Sequence, residues 1–345
     1  MMQSFSRCCV RRAPPSPLPA ARQFSSAPAE RPAFRVLVSG ASGMVGRALV
    51  AALSSPSAEN RFNPQVCALV RRPPRSASEI FWDPVAGRID IAALEGFDAV
   101  VHLAGENVGS GEGVLAATGR WTARKKFDIL ESRRRGTALL AGSLAALARK
   151  PRVLVSASGV GFYGLGCGDA PLGEAAPRGR GFLAEVAGVW EGATVRAAEA
   201  GVRVVNLRFG VVLAGSGGAL AKMAPPFWLG LGGPVGGGRQ WMSWITLEDA
   251  VRAVQHAMAC EALSGPVNAC APAVRNADFA AALGAAMGRP AALPLPEAAV
   301  RALFGEMGEE TLLSSVRAVP DKLLASGFFL KNPEIKEALR GALKY

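Results

Sequence analysis

Three glycines at regular spacing constrain this chain more than any other feature of its sequence. The apolar run 36–38 predicts a short buried strand at 35–39. Gly40, Gly43 and Gly46 follow this strand, and a helical apolar pattern begins directly behind them. In this order, glycines permit a tight turn, a close approach of backbone to a pyrophosphate, and close packing of helix on strand. The helix N-terminus then offers free amides to the anion. The stretch therefore predicts a dinucleotide-binding crossover, with a purely structural turn as the alternative.

The rest of the chain alternates apolar runs with helical patterns, which is typical of an α/β fold. Further buried strands are predicted at 65–70, 97–105, 153–155 and 202–208, with minor strand pieces at 80–83 and 88–91. Helices are predicted at 121–149, where Gly136 is a candidate irregularity, at 247–258, and up to Met287 after a cap formed by residues 276–278. We expect a Rossmann-like doubly wound parallel sheet with a smaller, mostly helical C-terminal lobe.

The first thirty residues differ in composition from the rest. Arginines recur among Ser, Ala and Pro, and no acidic residue precedes Glu30. This bias is typical of an organelle transit peptide, and the sequence at 22–25 resembles a mitochondrial processing site. We expect residues 1–30 to direct the protein to the mitochondrial matrix, with the chloroplast stroma or a plain disordered tail as alternatives.

Composition excludes several other classes of function. The formal charge of +12 is dispersed along the chain, and its densest run, 124–135, lies in an amphipathic helical pattern, so nucleic-acid binding is not expected. No apolar run approaches the roughly 18 residues that a membrane helix needs. The cysteines have no paired spacing and the chain has only two histidines, so the sequence offers no metal site.

The end of the second predicted strand indicates which dinucleotide binds. Arg71 and Arg72 follow it, and no acidic residue stands there. An acid at this place would bind the ribose 2′-OH of NAD(H), whereas arginine accommodates the 2′-phosphate of NADP(H), so NADP(H) is preferred over NAD(H). The alternative is a solvated pair of charges. The remaining predicted cofactor contacts are in the glycine turn and at the ends of two later strands, namely Ser42, Met44, Val45, Leu103, Ala104, Gly105 and Ser156.

Several ordered motifs together resemble a known superfamily. The glycine turn, the turn at 103–105 and the segment VLVSASGVGFYG at 153–164 resemble the extended short-chain dehydrogenases/reductases. LAGENV at 103–108, LRFGVVL at 207–213 and PFWLGLGGPVGGGRQWMSWI at 226–245 are closer to an atypical epimerase family of the SDR39U1/YfcH type. The resemblance implies an NAD(P)-binding epimerase-like domain at 34–260 and a C-terminal lobe at 261–345, with a family-specific domain at about 293–345.

The chain differs from the superfamily at the positions of the catalytic residues. Members use a tyrosine with a lysine four residues later to move a proton while the nicotinamide moves a hydride. Here Cys167 stands four residues after Tyr163, and the following helix, 181–187, holds neither residue type. Ser158, to orient a substrate oxygen, and Tyr163, to donate a proton, remain as catalytic candidates. A packed aromatic is the alternative for Tyr163, and His102 is interpreted as a core residue.

The resemblance implies that the glycine- and proline-rich loop at 225–238 and the tryptophans after it line a substrate cleft, unless they bury a domain junction. Two functional classes follow. The first is an NADP(H)-dependent oxidoreductase or epimerase-like enzyme acting on a small-molecule or nucleotide-sugar-like substrate. The second is a non-catalytic dinucleotide-binding protein that serves assembly or regulation in an organelle. The absence of the tyrosine–lysine pair favours the non-catalytic class, and the predicted cleft favours the enzyme.

Overall fold

The computed structural model describes residues 34–55, 64–110 and 119–344. The predicted leader, 1–30, lies outside the described residues. The described residues form one compact unit. None of the described helices has the length and apolarity needed to cross a bilayer.

The strands of the described residues are β1 (Arg35–Ser39), β2 (Gln65–Val70), β3 (Glu79–Asp83), β4 (Arg88–Ile89), β5 (Ala99–His102), β6 (Val153–Gly159), β7 (Arg203–Phe209), β8 (Val211–Ala214), β9 (Trp241–Met242), β10 (Trp244–Thr246), β11 (Gly265–Ala269) and β12 (Val274–Arg275). The helices are α1 (Met44–Ser54), α2 (Ala123–Ala146), α3 (Phe182–Gly192), α4 (Val195–Glu199), α5 (Gly218–Trp228), α6 (Leu247–Ala259), α7 (Asn276–Met287), α8 (Glu297–Thr311), α9 (Asp321–Ala325) and α10 (Ile335–Ala342). Short 3-10 turns span Ala92–Leu94 and Val160–Tyr163.

The predicted doubly wound sheet is confirmed. Eight strands lie in the order β11-β7-β6-β5-β1-β2-β3-β4, and every pair is parallel except β3 with β4. Strand order reverses between β1 and β5, and ligands of such sheets bind at this switch point, outside the carboxyl ends of the strands. Because β11 pairs with β7, the sheet extends past residue 260, where the sequence resemblance placed the start of the lobe.

Helices cover both faces of the sheet. Val36 and Val38 of β1 pack with α1 and α6 on one face, whereas Leu37 packs with α2 on the other. This division follows from the alternation of side chains along a strand. A third apolar cluster, which includes Trp244, joins β8 and β10 to α5, α7 and α10.

Three local expectations were wrong. Pro225 and Pro226 lie within the last turns of α5, so the loop predicted from residue 225 begins only after Trp228. Asn276 is the first residue of α7, after the N-cap Arg275, and its side chain accepts a hydrogen bond from the Val235 amide instead of capping the helix. Helix α2 runs unbroken through Gly136, which packs beside the ring of Trp82.

Buried carboxylates attach the C-terminal segment to helices α6 and α3. Asp249, in the first turn of α6, is fully buried and accepts the backbone amides of Lys331 at 2.9 Å and Asn332 at 3.0 Å. Glu310 of α8 accepts the first two amides of α3, from Phe182 at 2.5 Å and Leu183 at 2.7 Å. These bonds are charge-assisted and shielded from water, so they fix the position of the last fifty residues.

We expect Asp249→Asn to destabilise the chain by about 2 kcal/mol, since an amide nitrogen would face backbone donors that the carboxylate now satisfies. Urea unfolding followed by tryptophan fluorescence measures this change. Glu248→Gln is the matched control, because Glu248 is exposed and its pair with Lys331 is worth less than about 1 kcal/mol. Equal stability of the two variants would contradict this role of Asp249.

Candidate functional site

The glycine turn between β1 and α1 is built for close backbone contact. Gly40 has a φ of +71°, and a Cβ there would lie 2.8 Å from backbone atoms of both Leu103 and Ala104. A Cβ on Gly46 would lie 2.1 Å from the carbonyl oxygen of Gly40. Both positions therefore require glycine, one for the turn against the end of β5 and one for the packing of α1 on the turn.

The N-terminus of α1 is open to an anion. Its N-cap residue, Gly43, provides no side-chain acceptor, and no acidic residue lies in the first turn. The first helical hydrogen bond is donated by the Arg47 amide, so the amides of Met44, Val45 and Gly46 are not used within the helix. Positive charge and free donors at one point fit a pyrophosphate.

Two elements close the crevice around this turn. On one side the Met44 side chain lies against Gly218, at the start of α5, where a Cβ would meet the Met44 methyl at 3.1 Å. On the other side, Arg133 of α2 lies behind Gly105 and donates to the Glu106 carbonyl at 2.9 Å. The turn after β5 is therefore held beside the glycine turn. Ser42 is exposed at the tip of the turn.

The two arginines after β2 have different surroundings. Arg72 donates from both terminal nitrogens to the two carboxylate oxygens of Glu79, at 2.8 and 2.6 Å. This side-chain pairing, with the Arg75 amide as the next contributor, lowers the pKa of Glu79 to about 2. Arg71 is exposed, and within the described ranges no hydrogen bond or ion pair holds its side chain.

Both catalytic candidates belong to a buried network around Arg208 of β7. Ser158 donates to Glu191 at 2.8 Å, and Glu191 also forms a bidentate pair with Arg208, at 2.7 and 2.8 Å. Arg208 donates in turn to the Tyr163 hydroxyl at 3.2 Å. The structure thus brings Ser158 and Tyr163 together through charged groups that the sequence analysis did not include.

Tyr163 is 1% exposed, and its hydroxyl is fully engaged. It donates to the Asn268 side-chain oxygen at 2.8 Å, and Asn268 is itself oriented because its amide nitrogen donates to the carbonyls of Leu172 and Val319. Burial raises the pKa of Tyr163, although the Arg208 hydrogen bond opposes that shift. A hydroxyl in this state is a poor acid or base at neutral pH.

His102 lies beneath the glycine turn as a neutral core residue. Its Nδ1 lies 2.6 Å from the Ser39 hydroxyl and its Nε2 lies 2.9 Å from the Thr137 hydroxyl. Burial, and secondarily the charge of Arg133, lower its pKa to about 4. Ser156 is its neighbour on β6 and is also fully buried, with its hydroxyl 3.4 Å from the Ala157 carbonyl oxygen.

The tryptophans in and after the loop predicted to line the cleft lie in three different environments. Trp244 is completely buried in the apolar cluster that joins β8 to α7. Trp241 packs against the guanidinium groups of Arg275 and Arg317, at 4.0 and 4.5 Å from its ring centroid. Trp228 is more than half exposed at the end of α5. The tryptophans therefore do not form one continuous aromatic surface.

Sequence reasoning did not predict the ion pairs that organise this region. Arg208 and Glu191 are almost fully buried, and only the presence of an arginine inside the apolar run of β7 signalled the pair. Glu106 and Lys125 form a second pair at 2.5 Å, with the Lys125 side chain only 4% exposed. Among the described residues, no group of three His, Cys, Asp or Glu side chains is arranged to hold a metal ion.

Comparison with known proteins agrees with this architecture. The model of the NAD dependent epimerase/dehydratase family matches residues 36–269, and the domain of unknown function DUF1731 matches residues 295–342. Epimerase family protein Mb2239 of Mycobacterium bovis is 43% identical over 88% of this chain and 96% of its own length. The chloroplastic SDR39U1 homologue of Arabidopsis thaliana is 35% identical over 90% of this chain and 86% of its own.

A solved structure is also similar. The crystal structure of human epimerase family protein SDR39U1 (isoform 2) with NADPH superposes with a TM-score of 0.79 at 34% identity, and covers 90% of this chain and 99% of that one.

The low pKa of His102 predicts a pH-dependent stability. The native histidine stays neutral, whereas the unfolded chain takes up a proton below its ordinary pKa of 6.5, so stability is present above 6.5 and is lost as pH falls towards 4. We expect a loss of about 2 kcal/mol between pH 7.5 and pH 5 from this residue. Urea unfolding across that range should show a steeper slope for the wild type than for His102→Gln. Parallel slopes would show that His102 does not cause the dependence.

Proposed function

We propose an NADP(H)-dependent function for this chain, which belongs to the NAD dependent epimerase/dehydratase family. The observation that carries the proposal is the glycine turn, where Gly40 and Gly46 leave no room for a Cβ and α1 presents three unused amides. Such a cradle accepts a pyrophosphate and excludes side chains. The NADPH in the human relative's crystal structure supports the choice of dinucleotide.

In this proposal each predicted contact has a defined task. The amides after Gly43 hold the pyrophosphate, and the arginines that follow β2 hold the 2′-phosphate. The turn at 103–105 and the end of β6, with Ser156, lie next along the crevice on the nicotinamide side. When bound, the cofactor supplies hydride transfer to or from carbon. The substrate class we propose is a small molecule, including nucleotide-sugar-like compounds.

Gly43→Asp tests the cradle. Gly43 has an extended backbone conformation that other residues adopt, and aspartate is a favoured N-cap residue. A Cβ there would lie 3.2 Å from the Gly40 carbonyl oxygen, so the turn must shift slightly to admit it. The aspartate carboxylate would occupy the anion position and repel a pyrophosphate. We expect the dissociation constants of NADPH and NADH to rise at least about tenfold, by calorimetry, with a melting temperature close to that of Gly43→Ser, which adds the same Cβ.

Gly43→Ser is the control for this substitution, since it adds a neutral capping group at the same position. We expect it to weaken the dinucleotides less than Gly43→Asp does. A wild-type chain that binds neither dinucleotide, or an aspartate variant that binds both as the wild type does, would refute the proposal.

The surroundings of Tyr163 favour a second candidate function, in which the chain binds NADP(H) without catalysis. Its hydroxyl has a donor and an acceptor partner inside the protein, so proton transfer to a substrate would break the network of Arg208 and Asn268. Ser158 is likewise committed to Glu191. In this candidate, bound dinucleotide stabilises the fold by mass action, and the surface serves assembly or regulation.

Tyr163→Phe separates the two candidates. We expect the variant to lose about 1–2 kcal/mol of stability, because Asn268 loses its buried donor, and to retain its NADPH affinity within twofold. NADPH oxidation should be measured with a panel of carbonyl and nucleotide-sugar compounds in both proteins. Turnover by the wild type that disappears in a folded Tyr163→Phe would assign the proton transfer to this hydroxyl and refute its structural role.

We also propose that residues 1–30 are a transit peptide and that the mature protein resides in the mitochondrial matrix. The arginine-rich, acid-poor composition of the segment supports an organelle. The name of the Arabidopsis relative places that protein in the chloroplast, which supports the stroma as the alternative.

A further inference from the structure

Arg133 of α2 is a buried cation that has no carboxylate partner. The residue is 7% exposed, and no ion pair joins its side chain to any residue that the structure describes. Burial lowers the pKa of Arg133 to about 10, although the charge of Glu106 opposes that shift, so the guanidinium is positively charged at neutral pH. A buried charge without a partner is costly to stability, which favours a role in binding over a role in folding.

One edge of this guanidinium is free. The Nη1 atom donates to the carbonyls of Glu106 at 2.9 Å and Ile129 at 3.1 Å. The Nε and Nη2 atoms have no hydrogen-bond partner in the described part of the chain. The sealed side-chain atoms that lack a partner there are the Trp190 indole nitrogen and the Asn206 oxygen, so the free edge of Arg133 is open to solvent. Its N–H groups are therefore available to an acceptor.

The free edge lies beside the turn that follows β5. A Cβ on Gly105 would lie 3.3 Å from Nη2 and 3.4 Å from Nε, so a glycine at this position leaves both nitrogens uncovered. The central carbon of the guanidinium lies 4.6 Å from the centroid of the Trp190 ring, on α3. Gly40 of the glycine turn fits against the backbone of residues 103–104 in the same turn. Arg133 is therefore held at the carboxyl end of β5, next to the crevice.

The strand order indicates which half of a dinucleotide would reach Arg133. With the pyrophosphate on α1, directly after β1, the two halves of the dinucleotide extend along the sheet in opposite directions. Strand β2 lies on one side of β1, whereas β5 and β6 lie on the other. The arginines that follow β2 belong to the adenosine side. The turn after β5, and Arg133 with it, therefore belong to the nicotinamide side.

The two redox states of the dinucleotide differ in charge at this half, because the oxidised nicotinamide ring is a cation and the reduced ring is neutral. We infer that Arg133 discriminates between these states and makes the crevice favour NADPH over NADP⁺. The inference rests on the proposed NADP(H) function and adds to it a preference for one redox state. Like charges repel strongly where water is excluded. Glu106 does not cancel the charge of Arg133, since its carboxylate is paired with Lys125, and the buried His102 is neutral.

Two substitutions of Arg133 separate its charge from its hydrogen bonds. We expect the wild type to bind NADPH at least about tenfold more tightly than NADP⁺, and Arg133→Met to bind the two within about twofold of each other. Arg133→Lys keeps the charge but loses the fork of donors, so it should weaken both nucleotides and keep the preference. Calorimetry at one pH and ionic strength measures the constants. A merely structural Arg133 would weaken both nucleotides equally in Arg133→Met, and that unchanged ratio would overturn the inference.

The control ligand is 2′,5′-ADP, which carries the adenosine-side phosphates but no nicotinamide. Each variant should bind it within about twofold of the wild type, which shows that the fold and the glycine turn are intact. Arg134→Gln is the matched control variant, because Arg134 is the next residue of α2 and its half-exposed side chain pairs with Glu131. It should change neither the affinities nor their ratio.

A second pair of variants tests the charge with Arg133 in place, should Arg133→Met lose its affinity for 2′,5′-ADP. A Cβ on Gly105 would lie 3.1 Å from the central carbon of the guanidinium, so Gly105→Asp brings a carboxylate to the cation and Gly105→Asn brings a neutral group of the same size. We expect the preference for NADPH over NADP⁺ to be at least about fivefold smaller in Gly105→Asp than in Gly105→Asn. Equal preferences in the two variants would overturn the inference.

The outcomes distinguish this inference from the proposed function. A wild-type chain that binds neither NADPH nor NADP⁺ refutes the proposed function, and this inference with it. A wild-type chain that binds both with equal affinity refutes only the role of Arg133.

Discussion

The buried ion pair between Arg208 and Glu191 is the interaction on which the cleft side of the sheet depends. It joins β7 to α3 and, through Ser158 and Tyr163, to the end of β6 and the turn that follows. The Phe162 ring covers the guanidinium, with the centroid 3.4 Å from its central carbon. Removal of either charge would leave the other buried without a partner, which costs far more than the pair contributes as a whole. The side chains of Ser158 and Tyr163, the two catalytic candidates, are thereby both hydrogen-bonded within this network.

Helix α3 also makes contacts within the protein. In the superfamily that this chain resembles, the helix presents the tyrosine and lysine to the cofactor. Here the ring of Phe182 packs edge-on against Trp121, with 5.1 Å between the ring centroids, in a cluster that includes Ile129 and Met307. Its N-terminus is capped by Glu310 of the C-terminal segment, although a free helix end would attract an anion. The C-terminal segment therefore occupies the donors that α3 could otherwise give to a ligand, and α1 keeps its own donors free.

Sequence was sufficient where structure is decided by local geometry. The bounds of β1 and β2 and the start of α1 followed from short apolar runs and glycine spacing, because strand pairing and the crossover demand those residues at those places. Prediction from sequence failed where a residue makes its main contact with a distant part of the chain. Asn276 reads as a helix cap, but the distant Val235 amide takes its side chain. Pro225 and Pro226 read as loop residues, but an apolar face that includes Leu220 and Phe227 keeps α5 helical through them.

The candidate site illustrates the same limit more sharply, because its decisive contacts are all long-range or between strands. Arg71 and Arg72 are adjacent residues of the same type, and the sequence does not distinguish them. Only Arg72 of these two forms an ion pair, with Glu79 on the next strand of the sheet. Tyr163 and Asn268 are separated by 105 residues and meet only because β11 lies beside β7 at the edge of the sheet. Composition and spacing identified which residue types cluster at the carboxyl ends of the strands, whereas the division between ligand contacts and scaffold depended on pairings that only the folded sheet determines. Available donors therefore remain on backbone amides at α1 and on arginines of the loop after β2, the two places where a phosphorylated dinucleotide carries its charge.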